Sequence, residues 1–228
     1  MTGRGHRARR CARGAPAPGR RRRRSPRPAR AEPVRVLVVY AHPDPESFAA
    51  RLRDTVVGTL ERCGHDVDLV DLHVEGFDPV LRAEAWADQR LGLGPRPEVA
   101  GHVDRLLAAE ALVLVHPTWW SGQPAILKGW FDRVWAEGVA YSRSPGRGRL
   151  HSHLRGLRRL VVVTTHGSPR RVNLLQGESG RHLAMRSLRR FAHPLARFRW
   201  VALYGMDEDE PARREAFVAR VAREMTRL

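Results

Sequence analysis

Short, continuous runs of apolar residues recur along the chain, separated by longer amphipathic stretches. They are clearest in VRVLVVY (34–40), ALVLVH (111–116) and LVVVTT (160–165), which are rich in β-branched residues. Such runs are typical of strands buried on both faces, which occur in parallel sheets covered by helices. Two further runs, VDLVDL (67–72) and WVALYG (200–205), complete a set of five predicted strands.

Amphipathic helical patterns fill the intervals between these strands. The first repeats apolar residues every four positions, and it is bounded by a Ser47 cap and by Gly64. The predicted helices cover Ser47–Cys63, Val99–Ala109, Pro124–Trp135, Ser179–Ala192 and Glu208–Arg227. The stretches 73–97 and 142–158 are predicted as long loops, which in a compact domain usually carry function or subunit contacts.

Five strands that alternate with five helices predict an α/β fold, a doubly wound parallel sheet with helices on both faces. Right-handed crossovers limit the strand orders available, and the flavodoxin-like order 2-1-3-4-5 is one of the two common solutions. In such a sheet the ligand binds beyond the carboxyl ends of strands one and three, where the strand order reverses.

Charge divides the chain into a leader and a body. The net charge is +17, but residues 1–33 alone hold twelve arginines and one acidic residue. This Arg-, Pro- and Gly-rich leader has almost nothing to bury, so we expect it to be disordered. A nucleic-acid or membrane-surface arm, a targeting peptide and an inert extension are the possible interpretations; the last is favoured, and no apolar segment typical of secretion follows. The folded domain is predicted over 34–228.

The body itself is only mildly basic, with 29 basic and 23 acidic residues, so we expect no nucleic-acid partner. Cys11 and Cys63 are the only cysteines, which makes a disulfide framework improbable and fits a reducing compartment, here predicted to be the cytoplasm. The chain contains no run of about 18 apolar residues, so no membrane span is predicted. His151 and His153 lack further ligands, so no metal site is predicted.

Candidate chemistry follows three of the predicted strands. After the first, His42 and Ser47 precede a helix whose N-terminus suits a phosphate, although a plain capped turn is an equal alternative. Neither a G-x-G-x-x-G nor a P-loop motif occurs. After the third, Trp119 and Trp120 are adjacent in a loop, which favours stacking on a flat aromatic ligand over a dimer contact. After the fourth, residues 164–169 are mostly small and permit close backbone approach.

One segment resembles a known family. Residues 117–134, PTWWSGQPAILKGWFDRV, are similar to the signature of the DT-diaphorase-like NAD(P)H:quinone oxidoreductases, and the portion PAILKGWFDRV is specific. Residues 36–48, the pair Ala140-Tyr141 and the stretch Leu175-Gln176-Gly177 resemble the family in order and spacing. The resemblance covers roughly residues 34–205.

The resemblance implies a flavodoxin-like homodimer with one flavin, FMN or FAD, bound non-covalently in each site. By position, three residues would hold its phosphate end: His42, Ser47 and Phe48. Four would line the isoalloxazine: Pro117, Thr118, Trp119 and Trp120. Four would contact the pyrimidine side: Thr164, Thr165, His166 and Gly167.

The implied activity is transfer of a hydride from NAD(P)H through the flavin to a quinone or similar small-molecule acceptor. One subgroup of the resembling proteins serves as ancillary subunits of potassium channels. A regulatory flavoprotein subunit of a membrane transporter, such as a potassium efflux system, is therefore the alternative function.

The chain departs from the family at two catalytic positions. The family's active-site tyrosine falls at Val172 or Asn173 and its histidine at Ser179, so neither phenol nor imidazole is present there. His166, with Asn173 as a neutral hydrogen-bonding group, is therefore the candidate catalytic residue. We expect it to titrate near the ordinary histidine pKa of about 6.5.

Overall fold

The structure, a computed structural model, describes residue 2 and residues 32–143, 150–208 and 210–228. From Ala31 onward the chain forms one compact unit. The prediction of a disordered leader over residues 1–33 falls almost entirely outside the described residues, as does part of the predicted loop 142–158.

Five parallel strands form the central sheet. They are β1 (Arg35–Tyr40), β2 (Asp66–Asp71), β3 (Ala111–Pro117), β6 (Arg159–His166) and β7 (Arg197–Tyr204). Their order is β2-β1-β3-β6-β7, and every neighbouring pair is parallel. Since β6 and β7 are the fourth and fifth predicted strands, the order 2-1-3-4-5 is confirmed.

Alternate residues of the inner strands enter two separate cores. Leu37 and Val39 of β1 face one core, whereas Val36 and Val38 face the other. All four are essentially inaccessible to solvent, and full burial of an aliphatic side chain contributes about 1.5–3 kcal/mol. This two-sided burial explains why the inner strands have continuous apolar runs instead of alternating ones.

Helices cover both faces of the sheet, as predicted. One face carries α3 (Pro97–Ala108) and α4 (Ala125–Val134), and the other carries α1 (Phe48–Cys63) and α8 (Pro211–Met225). Helix α1 begins after Ser47, whose Oγ accepts a hydrogen bond from the Ala50 N–H at 3.1 Å. It ends at Gly64, where a φ of 89° suits glycine.

The structure adds elements where long loops are predicted. Helix α2 (Ala83–Leu91) lies within 73–97 and has no buried residue, so its weak amphipathic pattern gave no signal. A small antiparallel hairpin, β4 (Tyr141–Arg143) and β5 (Leu150–Ser152), occupies part of 142–158.

The region after β6 is also more divided than predicted. A short helix, α5 (Arg170–Leu175), follows the strand. The predicted helix Ser179–Ala192 is three consecutive pieces: α6 (Ser179–His182), a π-helical turn over Leu183–Leu188 and α7 (Arg189–Phe191). A change of helix type cannot be read from apolar spacing, because the hydrogen-bond shift depends on packing.

Candidate functional site

A cleft of about 550 Å³ lies at the carboxyl ends of the strands, where the strand order reverses between β1 and β3. This is the position expected for the ligand of a doubly wound sheet. Its lining residues come from four loops: His42, Ser47, Phe48, Ala49, Pro117, Thr118, Trp119, Trp120, Thr165, Gly167, Met206 and Asp207. The cleft therefore brings together nine of the eleven residues predicted to bind the flavin.

The loop after β1 is held by local hydrogen bonds. The Asp44 N–H donates to His42 Nδ1 at 3.0 Å, and the Glu46 N–H donates to Asp44 Oδ1 at 2.8 Å. These bonds turn the chain directly into α1. His42 is thereby fixed at the mouth of the cleft, where its ring lies 5.7 Å from that of Trp119.

The start of α1 offers unpaired backbone donors to the cleft. Ser47 Oγ caps the Ala50 N–H, whereas the N–H groups of Phe48 and Ala49 have no acceptor among the described residues. Both residues line the cleft. Free N–H groups at the positive end of a helix dipole form a ready anion site. Ser47 thus serves both alternatives considered from the sequence, as a cap and as a cleft residue.

The two tryptophans belong to a tight two-residue turn. Trp119 and Gly122 exchange backbone hydrogen bonds of 3.1 and 3.0 Å, and Trp120 and Ser121 between them have φ values of 49° and 62°. This is the geometry of a type I′ turn, which usually contains asparagine and glycine. Bulky residues in the left-handed region are strained, and such strain is concentrated at functional sites.

The turn presents its aromatic rings to the cleft and to solvent. Trp119 is 43% exposed and Trp120 is fully exposed. The turn itself is anchored from behind: Ser121 Oγ donates to Gln176 Oε1 at 2.7 Å, and Ser179 Oγ donates to the Ser121 carbonyl. Neither ring is therefore a core residue, as the sequence indicated.

Residues at the end of β6 divide between two sides. Thr165 and Gly167 line the cleft, whereas Thr164 and His166 are buried behind it, with at most 3% of their surface exposed. Successive side chains of a strand point to opposite faces, so four consecutive residues cannot all contact one ligand. The expectation of direct contact for Thr164 and His166 thus does not match their placement.

Asn173 fixes the tautomer of His166. Its amide nitrogen donates to the carbonyls of Ser168 and Pro169 at 2.9 and 3.1 Å, so Oδ1 is left to accept. His166 Nδ1 lies 2.7 Å from that oxygen and must carry the proton. The other ring nitrogen, Nε2, is then an acceptor, and Thr118 Oγ lies 3.5 Å from it.

This arrangement changes the predicted roles of His166 and Asn173. Burial lowers the pKa of His166 below its ordinary value, so the ring is neutral at pH 7. Asn173 is 5% exposed, and its amide is fully engaged. This lowered pKa does not agree with the expected titration near 6.5, because desolvation outweighs the hydrogen bond that His166 donates to Asn173. Of the residues that line the cleft, Thr118 is one that His166 contacts.

Three lining residues were missed in the sequence: Ala49, Met206 and Asp207. Met206 and Asp207 lie just after β7, at the carboxyl end of a fourth strand. That position was the signal in the sequence that could have identified them as lining residues. A Cβ on Gly167 would lie 2.5 Å from Asp207 Oδ2, so a larger residue there would require that exposed carboxylate to move.

The described residues were compared with the requirements of a metal site and of a membrane-spanning helix. Among the residues that the structure describes, no three His, Cys, Asp or Glu side chains are grouped to bind a metal ion. Within the same residues, no helix has both the length and the apolar character needed to cross a membrane.

Solved structures resemble the whole body of the chain. Smu.1420 from Streptococcus mutans UA159 superposes with a TM-score of 0.76 at 31% identity, covering 85% of this chain and 100% of that one. An NAD(P)H:quinone oxidoreductase from Methanothermobacter marburgensis superposes with a TM-score of 0.72 at 25% identity, covering 85% and 98%.

Curated relatives match over shorter stretches. An uncharacterized NAD(P)H oxidoreductase from Haemophilus influenzae is 35% identical over 111 residues, 48% of this chain and 54% of that protein. NAD(P)H dehydrogenase (quinone) 1 from Cavia porcellus is 30% identical over 128 residues, 47% and 45% of the two chains. The chain spans about half the length of these relatives. They confirm the resemblance to the NAD(P)H:quinone oxidoreductases. A family model described as flavodoxin-like fold matches residues 34–227, and the chain therefore belongs to that family.

Proposed function

We propose that the chain is a flavin-dependent NAD(P)H oxidoreductase, in which FMN or FAD is bound non-covalently in the cleft. The acceptor would be a quinone or a similar small molecule. The observation that carries this proposal is that one cleft is lined both by a helix N-terminus and by a strained aromatic turn. The volume of about 550 Å³ lies within the usual range for a cofactor site, roughly 300–1,000 Å³.

The start of α1 would hold the phosphate end of the flavin. The unpaired N–H groups of Phe48 and Ala49 are donors, and the helix dipole favours a negative group there. His42 and Ser47 supply further polar atoms at the same end of the cleft. No cysteine lies among the lining residues, which supports non-covalent attachment.

Other lining residues would enclose the flat ring. Trp119 and Trp120 provide aromatic surface, and Thr165 and Gly167 line the cleft without bulky side chains. The Thr118 hydroxyl lies 3.5 Å from His166 Nε2 and 3.1 Å from Thr164 Oγ, and a remaining lone pair would accept a hydrogen bond from the ligand. Such an acceptor suits the N–H on the pyrimidine side of a flavin.

When bound, the flavin would supply a two-electron carrier that takes a hydride from NAD(P)H and passes it on. The protein would contribute the orientation of the reactants and the electrostatic environment. Neutral His166 lies against the Thr118 hydroxyl, and the left-handed turn places two tryptophans at the cleft. Preorganised groups of this kind cost no rearrangement during reaction.

We further propose that the chain forms a homodimer, since the exposed rings beside the cleft suit a neighbouring subunit as well as a ligand. We also propose that residues 34–228 are the flavin-binding domain and that the protein is located in the cytoplasm. No observation favours the transporter-subunit alternative.

The decisive experiment is an absorbance spectrum of the purified protein, followed by release and identification of any flavin. Protein that shows no flavin bands even after incubation with FMN and with FAD would overturn the proposal. NADH and NADPH oxidation is then measured with quinone and nitro acceptors. Trp119→Ala is expected to weaken flavin binding. The matched control is Trp135→Ala, which removes a tryptophan side chain that is buried in the core.

A further inference from the structure

A second cleft, of about 300 Å³, lies beside the outer edge of the sheet at β7. Its lining residues are Arg170, Arg181, Trp200, Ala202, Tyr204 and Arg220. None of them lines the proposed flavin cleft. Three arginines from three separate helices therefore converge on two aromatic side chains of one strand.

The positive charge in this second cleft is only partly compensated. Glu178 is the carboxylate beside it, and it is already paired with Arg181 at 3.0 Å and accepts a hydrogen bond from the Tyr204 hydroxyl. Arg170 and Arg220 form no ion pair or hydrogen bond with the residues that the structure describes. Most arginines of the first half of the body are paired with carboxylates, for example Arg105 with Asp68 and Glu75.

The surrounding sequence strengthens this local charge. Residues 150–228 contain sixteen arginines and seven acidic residues, whereas the body as a whole is only mildly basic. The basic excess of the body thus lies in its C-terminal part, residues 150–228, which contributes β7 and its flanking helices. A cleft with one sign of charge and an aromatic wall focuses the field and concentrates small anions.

The aromatic wall is preorganised. Trp200 Nε1 donates to the Tyr204 hydroxyl at 3.2 Å, and that hydroxyl in turn donates to Glu178. Glu178 has a φ of 41°, an unfavourable conformation for a residue other than glycine, and only about 5% of its side chain is exposed. Burial alone raises its pKa, but the bonds from Tyr204 and Arg181 lower it overall, so it stays ionised. Arg181 is consequently held in place by a buried charge.

From these observations we propose that the second cleft binds a small phosphate-bearing anion. Planar guanidinium groups donate two parallel hydrogen bonds to phosphate oxygens, and three of them can surround one tetrahedral group. The volume is at the lower limit for a ligand pocket and suits a phosphomonoester or a diphosphate. Trp200 would contact the organic part of the ligand.

The second cleft is connected to the flavin cleft through one stacked pair. The Tyr204 ring stacks on His166, with centroids 4.5 Å apart and planes 15° apart. His166 in turn contacts Thr118, which lines the flavin cleft. An anion that shifts Arg181, Glu178 or Tyr204 would thus change the surroundings of the flavin site.

The test is titration calorimetry of the full-length, flavin-loaded protein with inorganic pyrophosphate. Loading the flavin keeps the start of α1 occupied, and flavin content is measured separately, so failure of the proposed function is distinguished from failure of this inference. We expect saturable binding that weakens roughly tenfold in Arg170→Gln and in Arg220→Gln. NADH and NADPH are titrated in parallel, because a preference for NADPH that disappears in both variants would identify the phosphate as that of the coenzyme.

The matched controls are Arg171→Gln and Arg223→Gln, which remove the same charge from the same two helices outside the cleft. They retain the arginine-rich leader, so any binding by that segment is the same in all proteins. Equal weakening in the control and cleft variants, or no saturable binding, would overturn the inference. Thermal unfolding with and without pyrophosphate verifies that each variant is folded; a shift lost only in the cleft variants supports the site.

Discussion

At the scale of single residues, the surroundings of His166 decide what that side chain can do. Its two nitrogens are committed to Asn173 and to Thr118, and its ring is stacked on Tyr204. A buried, neutral imidazole of this kind is poorly suited to exchange protons with a bound substrate. It instead lies against the hydroxyl of Thr118, a cleft residue, so we infer that it is a positioning residue.

His166→Ala is expected to weaken flavin binding and to lower the free energy of unfolding by about 2–4 kcal/mol. The physical reason is a cavity together with the unpaired Oδ1 of Asn173. The pH profile of turnover should keep its shape near pH 6.5, because burial lowers the pKa of His166 below that ordinary histidine value. Flavin titration and steady-state kinetics from pH 5.5 to 8 measure both effects.

Two control variants separate position from catalysis. Thr118→Val keeps the size of the side chain but removes the hydroxyl, so it should weaken flavin binding without forming a cavity at His166. If His166→Ala instead abolished a pH transition in the rate of acceptor reduction, the positioning role would be wrong and a direct proton transfer would replace it.

At the scale of elements, the turn Trp119–Gly122 combines poor local conformation with exposed aromatic surface. Each left-handed non-glycine residue costs roughly 1–2 kcal/mol, and both central residues adopt that conformation. A sequence selected only for stability would contain asparagine and glycine here. The cost is explained if the rings are needed for a ligand.

Trp120→Gly is therefore expected to stabilise the flavin-free protein by about 1 kcal/mol and to weaken flavin binding by roughly 1–3 kcal/mol. Urea unfolding of the flavin-free protein gives the first quantity, and fluorescence titration with flavin gives the second. Unchanged flavin affinity together with loss of the dimer would show that Trp120 contacts a second subunit, the alternative considered from the sequence.

Helix α4 packs unusually close to the segment that precedes α2. A Cβ at Gly129 would lie 2.5 Å from the Pro79 Cα, a backbone atom that cannot move independently. Gly129→Ala is thus expected to destabilise the fold by about 1–3 kcal/mol despite the better helix propensity of alanine.

The matched control is Gly101→Ala in α3, where the added Cβ meets nothing within 4 Å. This variant should stabilise the protein by about 0.5–1 kcal/mol through helix propensity alone. Chemical denaturation of both variants is the measurement. Equal effects of the two substitutions would contradict the close approach of α4 to Pro79.

At the scale of the whole molecule, buried histidines make stability depend on pH. Burial lowers the pKa values of His65, His102, His116 and His166, and that of His116 falls to about 4. The unfolded chain binds a proton at each histidine near pH 6.5, whereas the folded chain does not. Stability is therefore complete above about pH 6.5 and is lost as the pH falls toward 4.

His116 accounts for the largest share of this loss, about 3 kcal/mol between pH 6.5 and 4. His116→Gln should reduce the slope of unfolding free energy against pH over that interval, although it also removes buried packing. Leu114→Ala is the control, since it destabilises the same strand without removing a titratable group. Urea unfolding from pH 7.5 to 4 measures the slopes, and parallel slopes for the parent and His116→Gln would disprove the assignment.

The sequence by itself determined the five strands and, together with the family resemblance, their order and the edge of the sheet where the cleft lies. Continuous runs rich in β-branched residues, such as 111–116, indicate burial on both faces. This pattern can be recognised within a single short segment of sequence. The Ser47 cap and Gly64 were likewise readable, because helix ends depend on the conformations that single residues favour.

Only the tertiary structure decided which side of β6 meets the cleft and what surrounds His166. The direction of a side chain depends on the register of the strand, and its pKa depends on neighbours distant in the sequence, such as Thr118. The same reason applies to the turn at Trp120 and to the convergence of Arg170, Arg181 and Arg220. Packing between elements brings these groups together, and the spacing of residues within one segment cannot predict such contacts.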